Sequence, residues 1–212
     1  MQWTLIIPLK SLARAKSRLS DTAADGLRPS LALAFAQDTV AAALASPAVG
    51  DVAVVTGDEL AGRELATLGA RIVADEPGGG LNAALAHAAA VVRAVSPACP
   101  VAALNADLPA LRPFELARVL DAAAEFPRAF LADAATIGTT LLAAAPGREL
   151  LPAFGPRSRA RHHDSGAREL LLDAVDSVRQ DVDTGADLRA ALALGVGPRT
   201  AAVAARLLIP GQ

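Results

Sequence analysis

Four positively charged side chains follow the first apolar segment of the chain, within the run PLKSLARAKSRL. These side chains are Lys10, Arg14, Lys16 and Arg18. Cations and the N–H groups of a loop together surround the oxygens of a polyphosphate. We therefore predict a triphosphate-binding segment here, against the alternative that the cations mark the solvated start of a basic helix.

A carboxylate ends the buried-looking segment VAALNAD, where Asp107 precedes Leu108 and Pro109. A hard cation such as Mg²⁺ is typically held by one or two carboxylates together with substrate phosphates. Asp107 is therefore a candidate magnesium ligand. The alternative is an aspartate that caps a helix or forms a turn.

Two more acids, Asp181 and Asp183, alternate in the run QDVDTGADL. We predict a strand at 177–183, in which alternate side chains point to the same side. They would then complete a magnesium site with Asp107. Equally, the segment is typical of a turn in which Asp183 or Thr184 caps a following helix.

A glycine-rich turn lies in EPGGGLNAAL, at residues 76–85. Gly78, Gly80 and Ala83 fit the spacing of a dinucleotide fingerprint, but the strand before them is not the first of the sheet and the expected acid about 20 residues later is missing. We therefore reject a dinucleotide site. Gly80 and Asn82 stay candidates for contacts to a nucleotide, with Asn82 on a base edge.

Hydroxyl and main-chain donors suited to a second anion occur in IGTTLL and FGPRSRARH. The candidates are Thr139, Gly155 and Ser158, with Arg161 in support, and the alternative is an ordinary surface loop. His162 and His163 are adjacent and would point apart, and His87 lies in an apolar helix, so no histidine is assigned a catalytic role. The chain has no phosphate-loop, nucleophile-elbow or H-E-x-x-H motif.

Strand-like and helix-like segments alternate along the chain and would position these residues. Strands are predicted at 4–8, 51–56, 70–75, 101–107, 128–133, 139–145 and 177–183. Helices are predicted at 30–46 and 58–69, with Ser30 and Asp58 as their N-caps, and at 81–95, after Pro113 and at 185–194. Residues 153–167 are predicted to form a loop. This alternation is typical of a parallel sheet covered on both faces, whose ligands bind at the carboxyl ends of the strands. We find no repeat or linker and predict a single domain over 1–212.

The net charge of -2 gives no indication of a nucleic-acid surface. The single cysteine, Cys99, excludes an internal disulfide and favours a reducing, cytoplasmic compartment. No apolar run approaches the roughly 18 residues that a membrane span needs. The first apolar segment is also too short for a signal peptide.

Taken in chain order, these segments resemble the CofC/FbiD family, the guanylyltransferases of coenzyme F420 biosynthesis. The match runs from PLKSLARAKSRL through GLNAAL, LNADLP, GTT and FGPRSRARHHDSGA to DVDTGADL, almost the whole chain. LNADLP and DVDT are similar to the wider GT-A-type nucleotidyltransferases, whereas the lysine-rich opening and FGPxSxxRH are particular to this family.

The resemblance implies an α/β, GT-A-like and Rossmann-like nucleotidyltransferase with a central, mostly parallel sheet and helices on both faces. It implies that GMP passes from GTP to a small phosphorylated carboxylic acid, with product handed to the downstream F420 transferase. In bacterial members the acceptor is phosphoenolpyruvate, and in others 2-phospho-L-lactate or 3-phosphoglycerate. The sequence departs from the family pattern at Arg157, where an acid is more usual, and in its short GGG turn. Whether the chain forms a homodimer is left open.

By the same resemblance, each group of candidate residues takes a role. The resemblance implies that Mg²⁺ is held by Asp107, Asp181 and Asp183. It implies that the triphosphate is contacted by Lys10, Lys16 and Arg18. It also implies that the acceptor is bound by Thr139, Gly155 and Ser158. Three alternatives compete: a related nucleotidyltransferase acting on a sugar phosphate or a molybdenum cofactor precursor, a non-catalytic nucleotide-binding module, and a Rossmann dehydrogenase. The first usually opens with a glycine-rich loop that is missing here, and the second typically loses its metal carboxylates.

Overall fold

A computed structural model describes residues 1–12, 19, 27–75 and 79–207. These residues build a seven-stranded sheet in the order β3-β2-β1-β4-β6-β5-β7. The strands are β1 (Trp3–Pro8), β2 (Val49–Thr56), β3 (Arg71–Ala74), β4 (Val101–Leu104), β5 (Arg128–Ala132), β6 (Thr139–Ala144) and β7 (Arg168–Glu169). Neighbouring strands are parallel except at β6, which is antiparallel to β4 and β5. The predicted α/β fold with a mostly parallel sheet is confirmed.

Helices cover both faces of this sheet. They are α1 (Arg28–Leu44), α2 (Glu59–Ala66), α3 (Gly80–Val95), α4 (Pro113–Ala123), α5 (Ser158–Asp164), α6 (Asp176–Arg179), α7 (Gly185–Leu194) and α8 (Pro198–Ala205). Successive side chains of β1 alternate between the faces. Leu5 and Ile7 join a core cluster that includes residues of α1 and α4, whereas Ile6 joins a second cluster with residues of α3. A third cluster packs α1 against α7 and α8.

The strand predicted at 177–183 is wrong. Asp176–Arg179 form the short helix α6, and the residues that follow are irregular. The N–H and hydroxyl of Ser177 both donate to Oε2 of Glu115 on α4, at 2.9 and 2.8 Å. This tertiary contact holds the segment against α4 and outside the sheet, which the local alternation of residues could not show.

The loop predicted at 153–167 contains the helix α5. Its buried side chains, Ser158 and His162, are four residues apart and therefore share one face. The remaining helix positions are polar or small and partly or fully exposed. A helix that buries only two side chains lacks the broad apolar stripe on which helix prediction depends.

Two predicted helix starts had different outcomes. Asp58 caps α2 as predicted, since its Oδ1 accepts from the N–H of Ala61 at 3.1 Å. Ser30 does not cap α1, which begins earlier with Leu27 as its N-cap. Pro29 lies in that first turn, where a missing N–H costs no hydrogen bond.

The chain adds β2 and β3 on one side of β1 and then places β4 and the later strands on its other side. The order of the strands therefore reverses between β1 and β4. In sheets of this kind the crevice beyond the carboxyl ends at the reversal is where ligands bind. Among the described residues, no helix combines the length and apolar character that crossing a membrane requires.

Candidate active site

The carboxyl end of β1 opens into a cavity of about 640 Å³. We name it the β1–α3 cavity, and it is lined by Pro8, Leu9, Lys10, Ser11, Val55, Asp75, Gly80, Leu81 and Ala84. Lys10, a predicted triphosphate contact, is exposed at this cavity. The other two predicted contacts, Lys16 and Arg18, lie outside the described residues, as does Arg14.

Asp58 ties the chain that leaves β1 to the start of α2. Its Oδ2 accepts from the N–H of Leu12 at 2.9 Å, and its Oδ1 accepts from the N–H of Ala61. These donors, that of Leu12 foremost, lower the pKa of the Asp58 carboxyl below its usual value. The ionised carboxylate therefore anchors the chain two residues beyond Lys10.

The start of α3 forms the opposite wall of the cavity. Gly80 has a φ of 72°, a conformation that glycine adopts far more readily than residues with a side chain. Gly79, the N-cap, has no side-chain acceptor for the first N–H groups of this 16-residue helix. Such N–H groups and the positive end of the helix dipole suit an anion.

Asn82 links α3 to the loop before α5. Its Nδ2 donates to the carbonyl of Phe154 at 3.1 Å, and its Oδ1 accepts from the N–H of the same residue at 2.8 Å. Sequence reasoning missed this link, because residues 82 and 154 are distant in the chain. A base contact by Asn82 stays a prediction and would use the remaining bonding capacity of the amide.

The turn after β4 carries Asp107 and is fixed from two sides. The hydroxyl of Thr39 on α1 accepts from the N–H of Leu108 at 3.1 Å and lies 3.2 Å from the carbonyl oxygen of Ala106. The carbonyl of Asp107 accepts from the N–H of Val182 at 3.0 Å. Asp107 is half-buried, with its Oδ1 shielded from solvent. Its carboxylate is therefore held at the end of β4.

The bond from Val182 also brings the other two predicted metal acids into this region. Nδ2 of Asn105 donates to Oδ2 of Asp181 at 3.4 Å. Asp183 is exposed beside Val182. The structure thus places the three acids in one region although Asp181 and Asp183 do not share a strand.

The capping alternative for this segment is confirmed at Thr184. Its Oγ1 accepts from the N–H of Asp187 at 3.3 Å, and Asp187 Oδ2 accepts from the N–H of Thr184 at 2.8 Å, which closes a capping box at the start of α7. Within the ranges that the structure describes, no three His, Cys, Asp or Glu side chains are arranged to hold a metal by themselves. Any ion held here would therefore need ligands from substrate and water.

The predicted second anion site is compact. The N–H of Ser158 donates to the carbonyl of Gly155 at 3.1 Å. Ser158 Oγ lies 3.8 Å from the position that a Cβ at Gly138 would occupy, and Gly138 directly precedes Thr139. We call Thr139, Gly155 and Ser158 the hydroxyl cluster, after the hydroxyl groups of Thr139 and Ser158.

The hydroxyl cluster is a neighbour of the Asp107 turn. The N–H of Asn105, at the end of β4, donates to the carbonyl of Thr140, at the start of β6, at 2.9 Å. Because β6 runs antiparallel to β4, its first residues meet the carboxyl end of β4. The cluster and the carboxylate therefore share one edge of the sheet.

His162, for which no role was predicted, is fully buried next to the hydroxyl cluster. Its Nδ1 lies 2.9 Å from Oγ1 of Thr139, and its Nε2 accepts from the N–H of Ala153 at 2.9 Å. His163 is exposed, so the two histidines point apart as expected. The spacing of Ser158 and His162 was the one sequence signal for a shared helix face.

The surroundings of His162 keep its ring neutral. Burial lowers the pKa of His162 to about 4, with help from the positive charges of Arg128 and Arg161. The rings of Phe130 and Phe154 lie with centroids 5.8 and 5.0 Å from the imidazole. An uncharged imidazole in an apolar setting is suited to directing hydrogen bonds, not to binding an anion by charge.

Sequence relatives agree with this architecture. A family model described as "Guanylyl transferase CofC like" matches residues 3–207. A protein from Streptomyces avermitilis named phosphoenolpyruvate guanylyltransferase is 84% identical over 211 residues, which cover 100% of this chain and 98% of that protein.

Solved structures share the fold. A nucleotidyl transferase from Methanothermobacter is 23% identical with a TM-score of 0.66, covering 91% of this chain and 97% of that chain. A Mycobacterium tuberculosis protein in complex with manganese is 22% identical with a TM-score of 0.56, covering 91% and 98%. The family model spans the elements that carry the β1–α3 cavity, the Asp107 turn and the hydroxyl cluster, and this chain therefore belongs to the CofC-like family of guanylyl transferases.

Proposed function

We propose that this chain transfers GMP from GTP to phosphoenolpyruvate, releasing pyrophosphate and forming enolpyruvoyl-2-diphospho-5'-guanosine. The observation that carries the proposal is the sheet order β1-β4-β6, in which the Asp107 turn lies between Lys10 after β1 and the hydroxyl cluster at β6. Two anionic substrates on either side of one carboxylate turn fit this arrangement. The name of the 84% identical Streptomyces avermitilis relative supports the choice of acceptor.

The β1–α3 cavity suits the nucleotide. Its volume of about 640 Å³ is in the range of small-molecule sites. Asp75, exposed just after β3, lines it and offers two acceptor oxygens. Guanine has neighbouring N1–H and N2–H groups, which can both donate hydrogen bonds to the two oxygens of such a carboxylate. Adenine has no such pair of donors. This supports GTP as the donor nucleotide.

Mg²⁺ is the cofactor that the donor set fits. Asp107 and Asp183 supply hard oxygen ligands, and phosphate oxygens with water would complete the small, octahedral shell that Mg²⁺ requires. Asp181 already accepts a hydrogen bond from Asn105. It would therefore support the metal ligands from outside the coordination shell and help to orient them. Bound there, the ion would neutralise phosphate charge. The manganese in the Mycobacterium tuberculosis structure supports a divalent ion in this fold.

The reaction asks mainly for position and charge compensation. An oxygen of the acceptor phosphate attacks the α-phosphorus of GTP in line; a P–O bond forms as the α–β bond breaks, and pyrophosphate leaves with the electron pair. The acceptor phosphate has a second pKa of about 6 and is ionised near neutral pH, so no general base is required. Lys10 and the start of α3 hold the triphosphate, while Thr139 and Ser158 donate to the acceptor.

Other functions fit less well. A sugar phosphate or molybdenum cofactor precursor as acceptor is not favoured, because one guanylyl transferase family model matches residues 3–207. A non-catalytic module is not favoured either, since Asp107, Asp181 and Asp183 are all present. A single domain over 1–212, a cytoplasmic location, transfer of product to a downstream F420 enzyme and the question of a homodimer stay predictions from the sequence.

Pyrophosphate release from GTP with Mg²⁺ tests the proposal. Phosphoenolpyruvate, 2-phospho-L-lactate and 3-phosphoglycerate are supplied in parallel, with the downstream F420 transferase and its acceptor as a trap for an unstable product. We expect turnover with phosphoenolpyruvate. A folded protein that binds GTP but releases no pyrophosphate with any of the three acids would contradict the proposal. ATP in place of GTP is the control for base recognition.

A further inference from the structure

We propose that His162 is a positioning residue that makes the hydroxyl of Thr139 a directed hydrogen-bond donor for the anionic group of the acceptor. The inference rests on the proposed function, because the phospho-acid is the ligand that Thr139 would hold. It assigns a role to a side chain that contacts no substrate and acts on the acceptor through the hydroxyl of Thr139.

The proton of the imidazole can be placed from its two partners. An N–H group of the main chain can only donate, so the 2.9 Å contact from Ala153 makes Nε2 an acceptor without a hydrogen. A neutral imidazole carries its one N–H on the other nitrogen. Nδ1 therefore donates to Oγ1 of Thr139 across 2.9 Å.

This direction decides what Thr139 offers to a ligand. A threonine hydroxyl has one hydrogen and two acceptor lone pairs. Once Oγ1 accepts from His162, its own hydrogen is available to another partner, and a phosphate or carboxylate oxygen needs such a donor. With the opposite tautomer the hydroxyl hydrogen would be spent on Nδ1, and only lone pairs would face the anion.

The surroundings of His162 hold this tautomer. The ring is fully buried and contacts Phe130 and Phe154. The charged groups that face it are the guanidinium groups of Arg128 on β5 and Arg161 on α5, both positive. A protonated ring would add a third positive charge and would set an N–H on Nε2 against the N–H of Ala153. Both effects keep the ring neutral with its proton on Nδ1.

His162 has a second, separable contact with the loop before α5. Ala153 precedes Phe154, whose main-chain N–H and carbonyl are held by Asn82. The Nε2 contact therefore helps to fix the loop that leads to Gly155. A test has to separate the effect of the bond between Nε2 and Ala153 from the effect of the bond between Nδ1 and Thr139.

Two amide variants separate the two bonds. The amide of His162→Asn lies near the position of Nδ1 and can still donate to Thr139, whereas that of His162→Gln lies near Nε2 and can still accept from Ala153. We expect His162→Gln to raise the KM for phosphoenolpyruvate about 10-fold, the effect of one lost bond to a charged group, with an unchanged KM for GTP. We expect His162→Asn to keep the KM for phosphoenolpyruvate within about 3-fold of wild type although it loses the loop contact.

A double-mutant comparison asks whether His162 acts through Thr139. In the background of Thr139→Val, which has no hydroxyl, His162→Gln should raise the acceptor KM no further. Thr139→Ser is the matched control, because it keeps a hydroxyl and should keep the effect of His162→Gln. The proposal would be overturned if His162→Asn and His162→Gln raised the KM for phosphoenolpyruvate and the KM for GTP by equal factors. It would also be overturned if the effects of His162→Gln and Thr139→Val on the KM for phosphoenolpyruvate were additive.

A second measurement needs no catalytic activity and leaves His162 and Thr139 unchanged. Nitrogen-15 NMR of the imidazole at pH 7 identifies which ring nitrogen carries the proton, and a His163→Asn and a His87→Asn sample assign the signals of the three histidines. We expect a neutral ring protonated at Nδ1, whose N–H proton signal shifts when phosphoenolpyruvate is added. A ring protonated at Nε2, or at both nitrogens, would overturn the proposal. The expected tautomer in a protein without turnover would count against the proposed function alone.

Discussion

At the scale of single residues, position decides which of the many charged side chains matter. The chain has 22 Asp and Glu residues, so residue type alone does not distinguish a ligand from a surface acid. Asp107 is distinguished by its turn, which Thr39 and Val182 hold by hydrogen bonds. Fixed main chain makes the direction of its carboxylate reproducible, as a metal ligand requires.

Replacing Asp107 by asparagine tests this position. Asp107→Asn keeps the shape of the side chain and removes its charge, so we expect kcat to fall at least about 100-fold while the melting temperature stays near that of wild type. Asp121→Asn, on the exposed face of α4, is the matched control and should leave both unchanged. Normal turnover by a folded Asp107→Asn protein would exclude Asp107 as a metal ligand.

Ser158 tests the acceptor side at the same scale. Ser158→Ala removes one hydroxyl donor from a buried position, 2% exposed, next to Gly138. We expect the KM for phosphoenolpyruvate to rise about 10-fold with little change in the KM for GTP. Steady-state kinetics with each substrate varied in turn measures both, and equal rises would move Ser158 out of the acceptor site.

At the scale of elements, the loops of the site are fixed by side chains from distant parts of the chain. Asp58 at the start of α2 holds Leu12, Thr39 of α1 holds the Asp107 turn, and Asn82 of α3 holds the loop before α5. Each contact joins the side chain of one element to the main chain of another. The helices therefore supply the rigidity that the active-site loops do not have by themselves.

Asp58→Ala tests one of these links. Loss of the cap should lower the free energy of unfolding by about 1 kcal/mol, a typical value for a helix N-cap. Because the anchor of Leu12 is lost as well, we expect the KM for GTP to rise, with the KM for phosphoenolpyruvate as the internal control. Urea unfolding and kinetics measure the two effects. A loss of stability without any change in the KM for GTP would show that Leu12 does not position Lys10.

At the scale of the whole molecule, the one antiparallel strand of the described sheet, β6, explains why the site is continuous. Parallel strands bring only their carboxyl ends to the catalytic edge. The reversed β6 brings its first residue, Thr139, to that edge and places it beside the chain that leaves β4. A sheet of parallel strands alone would have left Thr139 at the opposite edge.

The stability of the whole molecule should depend on His162 between pH 6.5 and about 4, its ordinary and folded pKa values. In this range the unfolded chain binds a proton that the native protein excludes, so the free energy of unfolding falls as the pH is lowered. Urea unfolding at pH 7, 6 and 5 should show a smaller loss for His162→Gln than for wild type. Asp58 and Glu115, whose carboxyl pKa values are lowered, also lose stabilising bonds in acid, but equally in both proteins. Parallel pH profiles of the two proteins would contradict this prediction.

The class of fold and the segments that carry the site could be predicted from local sequence patterns. Six of the predicted strands and the helices α1, α2, α3, α4 and α7 are present, because buried parallel strands are continuous apolar runs and helices carry apolar residues at helical spacing. The family followed from motifs whose order along the chain needs no coordinates, and residues 3–207 match that family.

How these segments meet depends on contacts between residues that are distant in the chain. The segment 177–183 has the alternation of a strand, but Glu115 holds its first residues in α6. No role was predicted for His162, one of two adjacent histidines, and it is its burial and its contacts with Thr139 and Ala153 that distinguish it. Those contacts join residues that are 9 and 23 positions apart. A local sequence pattern indicates only the conformational preference and polarity of neighbouring residues. Burial and hydrogen bonds between residues so far apart arise only when the packed elements bring those residues together.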